Sequence, residues 1–243
     1  MSEPAIEVEH LHKRYGDVVA VDDVSLRVEP GEVLGVLGAN GAGKTTTVEL
    51  IAGLRKPDRG RVRVLGLDPR RDRAAVRQVL GVQLQQAYLH HALTVAELVD
   101  LFASFYPDPR PAAELLDLVE LGRQTRTRFE KLSGGQQQRL SIALALVGRP
   151  RVVILDELTT GLDPHARRRV WQGIEALRDE TVVLVSHAMD EVERLCDRVV
   201  LIDAGRVVAL GSPADLVRQA GTDGLEEAFV ALTGRELAME EDA

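Results

Sequence analysis

A glycine-rich segment between an apolar run and a helical pattern has the residue types that hold phosphate groups. It extends from Gly38 to Thr45 and reads G-A-N-G-A-G-K-T, which matches G-x-x-x-x-G-K-[ST]. Glycines let the backbone N–H groups turn inward around an anion, in conformations that a Cβ would obstruct. Lys44 supplies a charge for the outer phosphates, Thr45 supplies a hydroxyl for Mg²⁺, and the next helix directs its positive end at the anion. The segment predicts a nucleoside triphosphate site rather than a purely structural turn.

Two adjacent carboxylates follow a second apolar run. Residues 152–155 are aliphatic throughout, and Asp156 and Glu157 come directly after them. The carboxyl ends of parallel strands face the ligand crevice in open sheets. Asp156 could therefore hold Mg²⁺ through water, while Glu157 could polarise an attacking water. Two solvated acids in a loop are the structural alternative, but the upstream phosphate-binding loop favours phosphoryl transfer.

A third motif, L-S-G-G-Q, occupies residues 132–136 and precedes an apolar helical pattern that continues through residue 147. Ser133 and Gln136 have the spacing of a capping box, which would stabilise the helix without any ligand. A serine hydroxyl and free N–H groups at a helix N-terminus also form an anion site. Both interpretations can hold together.

These three motifs together resemble the ATP-binding subunit of ABC transporters, in which L-S-G-G-Q is diagnostic. The resemblance implies an α/β fold of the P-loop NTPase class. Such a fold has a parallel, RecA-like core sheet, an N-terminal antiparallel β subdomain and an inserted α-helical subdomain. The resemblance also implies that the anion site at Ser133 closes on the γ-phosphate held by the loop of a second subunit, in a head-to-tail homodimer.

Two residues outside the three motifs match the family before the middle of the chain. Tyr15 matches the aromatic residue that stacks on adenine, although a surface aromatic residue is the structural alternative. Gln85 matches the glutamine that contacts Mg²⁺ and the attacking water and that leads into the helical subdomain. Neighbouring Gln83 and Gln86 leave the register of this match open.

Two further matches follow the carboxylate pair. Asp163 matches the loop that crosses the dimer interface, although an aspartate before Pro164 could merely cap the next helix. His187 comes after the aliphatic run at 182–185 and matches the switch histidine, which donates a hydrogen bond to the γ-phosphate.

The resemblance assigns a role to each of these residues. The implied catalytic residues are Lys44, Gln85, Glu157 and His187, and the implied Mg²⁺ ligands are Thr45, Gln85 and Asp156. The implied nucleotide-binding residues are Tyr15, Gly38, Asn40, Gly41, Ala42, Gly43, Lys44, Thr45, Thr46, Ser133, Gly134, Gly135, Gln136 and Asp163.

Two kinds of strand pattern surround the motifs. Apolar and polar residues alternate at 6–9 and 61–65, which predicts half-exposed antiparallel strands. Continuous aliphatic residues occupy 33–37, 152–155 and 182–185, which predicts strands of a parallel sheet that is covered on both faces. The chain therefore combines two sheet types.

Strand patterns are absent from the middle of the sequence. Thr94 and Glu97 form a capping box that opens one predicted helix, and Pro111 starts another. Later, strands and helices alternate and end in a hairpin that turns at residues 203–205.

These patterns give the expected domain limits. Residues 1–215 form the ATPase domain, and residues 216–243 form a short helical tail. Within the domain, 1–86 and 150–215 contain the core and the antiparallel subdomain, and 87–149 form the helical subdomain.

Composition limits the functional classes. Of 243 residues 45% are apolar, which suffices for a sizeable core, and the net charge of −8 opposes a nucleic-acid binder. One cysteine, Cys196, cannot form an internal disulfide, which indicates a reducing compartment. The sequence has neither a secretory signal nor a run of about 20 apolar residues.

We therefore expect an ATPase that requires ATP and Mg²⁺ and that powers transport through a permease on a separate chain, at the cytoplasmic face of the membrane. The permease would dock around the segment after Gln85. The stretches 186–193 and 225–235 resemble multidrug exporters of the daunorubicin type, which belong to the ABC-2 class.

The alternative is a non-transport ABC ATPase that powers a soluble assembly or remodelling process. A regulatory subunit with little turnover is disfavoured because Glu157 and His187 are both present.

Overall fold

The computed structural model describes residues 3–84, 89–157, 159, 162–177 and 180–234. The strands are β1 (Ile6–Tyr15), β2 (Val18–Val28), β3 (Val33–Leu37), β4 (Arg59–Val64), β5 (Leu80–Gln83), β6 (Val152–Asp156), β7 (Thr181–Val185), β8 (Arg198–Asp203) and β9 (Arg206–Gly211). The helices are α1 (Lys44–Ile51), α2 (Arg73–Val79), α3 (Val95–Ala103), α4 (Ala112–Leu118), α5 (Gly134–Leu146), α6 (Pro164–Glu175), α7 (Met189–Leu195), α8 (Pro213–Ala220) and α9 (Leu225–Thr233).

The larger sheet has six strands in the order β5-β6-β7-β3-β8-β9. The first five run parallel, and β9 pairs with β8 in the antiparallel direction through the hairpin. Strands β6 and β7 are buried at every position, as their aliphatic runs predict for strands that are covered on both faces. Val153 and Leu155 of β6 pack into one core with the helices, whereas Val152 and Ile154 pack into a second core on the other face.

The smaller sheet has three antiparallel strands in the order β2-β1-β4. Ile6 of the central strand pairs with Val28 on one side and with Val64 on the other. The inward side chains of this sheet join the second core together with α1, and the alternating polar residues remain outside, as the sequence predicts.

A helical block lies between β5 and β6. Thr94 caps α3 with the predicted capping box, and Pro111 precedes the first residue of α4. Both helices pack on α5, which carries the L-S-G-G-Q motif at its start. Helices α8 and α9 pack against each other after β9. The helical block lies where the sequence predicts helices, whereas the predicted limit between residues 215 and 216 falls within α8. The domain limits stay a prediction.

Candidate nucleotide-binding site

The phosphate-binding loop joins β3 to α1 and lies close to neighbouring backbone. Gly43 has a φ of 103°, and a Cβ there would lie 2.2 Å from the carbonyl oxygen of Ala20. A Cβ on Gly38 would lie 2.3 Å from the carbonyl oxygen of Ile202. Glycine is therefore required at both positions by the fold of this chain alone, since any side chain would collide with backbone.

Lys44 is the first residue of α1, and its side chain is buried beneath the loop. Its Nζ donates hydrogen bonds to the carbonyl oxygens of Gly38 at 2.7 Å and Ala39 at 3.2 Å. Burial lowers the pKa of Lys44, and the nearby carboxylates of Glu157 and Asp156 act in the opposite direction. The ammonium group thus binds the loop and lies near the predicted catalytic residue Glu157 and the predicted Mg²⁺ ligand Asp156.

An open pocket of about 320 Å³ lies in front of the loop. Its lining brings Glu157 together with residues of the loop and of the first turn of α1. Among the described residues it is lined by Ala20, Asn40, Gly41, Gly43, Lys44, Thr45, Thr46 and Glu157. The structure therefore unites the first two motifs, which lie more than a hundred positions apart in the sequence.

Asp156 ends β6 and is fully buried. Neither of its carboxylate oxygens has a hydrogen-bond partner of normal geometry in the part of the chain that the structure describes. Burial and the neighbouring Glu157 raise the pKa of Asp156 to about 6, whereas the hydroxyl of Thr45 and the charge of Lys44 oppose this rise. An unpartnered buried carboxylate is costly, which points to a missing cation.

The donor set at this position fits Mg²⁺. Mg²⁺ prefers oxygen ligands, keeps several waters and takes one or two protein groups together with substrate phosphates. Asp156 and Thr45 offer a carboxylate and a hydroxyl that lie near each other. These two residues would hold the ion next to the pocket.

Glu157 follows Asp156 in the left-handed region of backbone conformation, with a φ of 51°. This conformation is unfavourable for a residue with a Cβ and is retained where the surroundings enforce it. The N–H group of Glu157 donates to the carbonyl oxygen of Val185 at 2.9 Å, which fixes the backbone while the side chain lines the pocket.

His187 lies at the same edge of the sheet. Strands β6, β7 and β3 are neighbours, so their carboxyl ends place Glu157, His187 and Gly38 side by side. The N–H group of Ser186 donates to the carbonyl oxygen of Val36 at 3.4 Å. The next residue, His187, is half-buried. It does not belong to the described residues that line the pocket. Gln85 lies outside the described residues.

Gln83 has a structural role that the sequence did not reveal. It is buried at the end of β5, and its Oε1 accepts the N–H group of Asp156 at 3.1 Å. Gln83 therefore fixes the backbone of the predicted Mg²⁺ ligand. Its only signal in the sequence is a polar residue within an apolar strand.

Tyr15 ends β1 with 40% of its surface exposed. The Nζ of Lys13 lies 5.2 Å from the centre of its ring, and the guanidinium of Arg55 lies 5.7 Å from it. These are cation–π distances, so both cations interact with a ring that is still partly exposed.

Ser133 caps α5 and is exposed. Its Oγ accepts the N–H group of Gln136 at 3.3 Å, and its own N–H donates to Oε1 of Gln136 at 2.9 Å, so the capping box is real. A Cβ on Gly134 would meet no described atom within 4 Å, whereas one on Gly135 would contact Leu162 at 3.1 Å. None of these motif residues joins the described lining of the phosphate pocket.

Asp163 caps α6, as the structural alternative proposed. Its Oδ1 accepts the N–H groups of His165 at 2.9 Å and Ala166 at 3.0 Å. The hydrogen bonds from Ala166 and His165 lower the pKa of Asp163. This capping is compatible with a second contact across a dimer interface, which stays a prediction.

Comparison with known proteins decides the family. The sequence model of the family described as "ABC transporter" matches residues 21–160, which include the phosphate-binding loop, L-S-G-G-Q and both carboxylates. The chain belongs to the ABC transporter ATP-binding family. The family predicted from the motifs is therefore confirmed, and this ABC protein is an ATPase.

Curated relatives of this ABC ATPase carry names from export and resistance systems. It is 39% identical over 220 residues to Nod factor export ATP-binding protein I of Rhizobium etli, and this match covers 88% of this chain and 70% of that protein. It is 40% identical over 233 residues to daunorubicin resistance ATP-binding protein DrrA3 of Streptomyces coeruleorubidus, which covers 93% of this chain and 74% of that protein. The predicted resemblance to the daunorubicin type is thereby confirmed.

Solved structures confirm the P-loop NTPase fold of this ABC ATPase. The structure of an ATP-binding subunit of an ABC transporter has a TM-score of 0.85 at 30% identity and covers 94% of this chain and 99% of its own. A dimeric post-hydrolysis state of the ATP-binding cassette MJ0796, bound to ADP and Pi, has a TM-score of 0.78 at 28% identity. This match covers 85% of this chain and 98% of the MJ0796 chain. No helix that the structure describes is both long and apolar enough to cross a membrane.

Proposed function

We propose that this ABC ATPase drives an exporter whose membrane-spanning permease is a separate polypeptide. The observation that carries the proposal is the similarity to export and resistance ATP-binding proteins along 88% and 93% of the chain, which includes the phosphate-binding loop, L-S-G-G-Q and the carboxylate pair. We expect a drug-like or lipid-like substrate, and one relative is named for resistance to the drug daunorubicin. The ATPase would then work at the cytoplasmic face of the membrane, where it binds its permease.

Each part of the phosphate pocket has a task in hydrolysis. Lys44 and the loop amides neutralise and orient the phosphates, since phosphoryl transfer needs positioning and charge stabilisation above all. Thr45 and Asp156 would hold Mg²⁺, which would neutralise negative charge on the nucleotide phosphates. Glu157 orients and polarises the attacking water from its fixed place in the pocket. The family match in the sequence assigns Gln85 and His187 to the same reaction.

The nucleotide site is completed by a second copy of the chain. The start of α5 offers a serine hydroxyl and N–H groups, and Ser133 and Gly134 are exposed. Gly134 has open space where a side chain would lie, so a ligand can approach the helix N-terminus closely. The dimeric state of MJ0796 supports this arrangement. Tyr15 would stack on adenine, and Asp163 would contribute from the interface loop.

A second cavity marks the surface that we assign to the permease. It measures about 270 Å³ and lies between β5, α3 and α5, next to the segment that follows Gln83. Exposed Leu101 on α3 and exposed Phe105, in the turn that follows α3, continue its apolar character. Among the described residues it is lined by Gly81, Val82, Gln83, Leu84, Leu89, Phe102, Tyr106, Ser141, Leu144 and Ala145. An apolar helix of the permease fits such a groove.

Glu157→Gln tests the proposed chemistry. The amide keeps the size of the side chain but cannot polarise water, so the variant should bind ATP, lose turnover and accumulate as a nucleotide-bound dimer. Size-exclusion chromatography and ATPase assays measure both effects, with the exposed Glu226→Gln on α9 as a matched control. Normal turnover of Glu157→Gln would refute the assigned role.

Copurification distinguishes transport from the alternative. An exporter ATPase should be isolated from membranes together with a polytopic protein, and replacement of Phe105 by glutamate should release it. Isolation with soluble proteins alone would instead support an ABC ATPase of assembly or remodelling.

A further inference from the structure

Three polar contacts join α6 to α7 along their length. Arg167 contacts Asp190 at 3.4 Å, and Arg194 contacts Glu175 at 2.8 Å. Between them, Nε1 of Trp171 donates a hydrogen bond to Oε1 of Glu191 at 3.0 Å. The α6 residues are spaced four apart, so they share one face of the helix. The two helices are therefore connected at three successive levels.

The central contact differs from the outer two because it is buried. Glu191 is 0% exposed and Trp171 is 7% exposed, whereas the outer pairs lie at the surface. Oε2 of Glu191 has no hydrogen-bond partner of normal geometry within the described ranges. Packing alone would favour an apolar side chain here, since a buried carboxyl group costs free energy. This cost indicates a role other than stability.

The surroundings of Glu191 include one hydroxyl from each of two loops. Burial raises the pKa of Glu191, and the hydroxyl of Ser186, the indole of Trp171 and the hydroxyl of Thr159 act in the opposite direction. Ser186 directly precedes His187, and Thr159 lies between Glu157 and Asp163. The Glu191 side chain therefore interacts with Ser186, next to His187, and with Thr159, in the interface loop between Glu157 and Asp163.

We propose that Glu191 is a positioning residue that makes these two loops move as one. Asp163 starts α6 and His187 lies just before α7, so a displacement of the interface loop passes through Trp171 and Glu191 to the histidine. The inference rests on the proposed role of His187 in hydrolysis. Glu191 is not among the described residues that line the phosphate pocket, so it acts on turnover and leaves nucleotide binding unaffected.

Two substitutions separate positioning from packing. Glu191→Leu keeps the volume and removes the polar contacts, so the variant should unfold at or above the wild-type temperature while its kcat falls at least tenfold. Glu191→Gln can still accept from Trp171 and donate to the hydroxyls, so its kcat should stay within about threefold of wild type. The ATP dissociation constant should change less than twofold in both. Glu175→Gln, at the exposed outer contact, serves as the control and should keep wild-type kcat.

Trp171 provides an independent measurement because the sequence contains a single tryptophan. Its emission should change when ATP is added to the wild type or to Glu191→Gln, and this change should be lost in Glu191→Leu. Wild-type kcat in Glu191→Leu would overturn the proposal, as would a Glu191→Gln variant as slow as Glu191→Leu. If Glu191→Leu does not fold, Trp171→Phe keeps an aromatic ring at this position and removes the Nε1–H donor, and an unchanged kcat of that variant would equally overturn the proposal.

A parallel measurement on His187→Ala separates this proposal from the proposed function. If His187→Ala retains turnover, the assigned role of the histidine is wrong. If His187→Ala is inactive and Glu191→Leu is fully active, the histidine role stands and the positioning role of Glu191 is refuted.

Discussion

Replacement of Asp156 by asparagine should stabilise the nucleotide-free protein and at the same time abolish its ATPase activity. The reason is that the buried carboxylate has no hydrogen-bond partner of normal geometry among the described residues, while its proposed partner is Mg²⁺. Asparagine keeps the size of the side chain and removes the charge. A functional residue that costs stability is expected to show these opposite effects.

The pKa of Asp156 gives the magnitude. A rise from 3.8 to about 6 in the folded protein corresponds to at most about 3 kcal/mol of lost stability once the group is charged in both states. Below the unfolded value the group is protonated in both states and costs nothing, so the loss develops as the pH rises from 3.8 to about 6. The asparagine amide also lacks partners, which leaves an expected gain of about 1–3 kcal/mol at pH 7.5.

Urea denaturation in EDTA at pH 4 and pH 7.5 measures this gain. The free energy of unfolding of the variant should match that of the wild type at pH 4 and exceed it at pH 7.5. In a thermal melt at pH 7.5, the melting temperature of the variant should be higher by about 2–12 °C. Glu32→Gln is the matched control, because Glu32 is also buried but contacts Arg198 at 3.0 Å. Loss of this ion pair should destabilise the protein. Equal stability of Asp156→Asn and wild type at pH 7.5 would refute the reasoning.

Three further predictions test other parts of the site. Ser133→Arg should block dimer closure, so ATP hydrolysis and its cooperativity are lost while one subunit still binds nucleotide, as equilibrium binding and ATPase assays can show. Tyr15→Ala should weaken ATP binding by about 1–3 kcal/mol of stacking energy and leave the affinity for inorganic triphosphate unchanged in calorimetry. Thr94→Ala should lower the free energy of unfolding in urea by about 1 kcal/mol because the capping box of α3 is lost, with ATP affinity unaltered.

The sequence predicts most of the fold because its local patterns match the environments that the strands occupy. Strand β6 is aliphatic at every position before Asp156, and the structure shows why: its alternate side chains enter two different cores. Strand β1 alternates because only one of its faces is buried. The glycine pattern of the phosphate-binding loop is equally local, since Gly43 needs its left-handed backbone within the loop itself.

The sequence does not predict contacts that arise only in the assembled structure. The bond from Asp156 to Gln83 joins residues 73 positions apart, and the burial of Glu191 depends on how α6 and α7 pack. The left-handed backbone of Glu157 also follows from its neighbours in the sheet rather than from its residue type.

The capping motifs show a different limit of sequence reasoning. Ser133 and Asp163 each form the cap that the structural alternative requires. A helix N-terminus presents the same N–H groups to its own cap and to an external anion. One pattern therefore serves both stability and binding, and stability measurements on a single chain cannot separate them.

Gly134 has consequences for the evolution and engineering of this protein. A side chain there would enter open space, so selection for expression or thermal stability would accept alanine and larger residues at the start of α5. Helix propensity even favours alanine over glycine. Libraries that are screened only for well-folded monomers would therefore lose this glycine, and only a screen for hydrolysis would retain it.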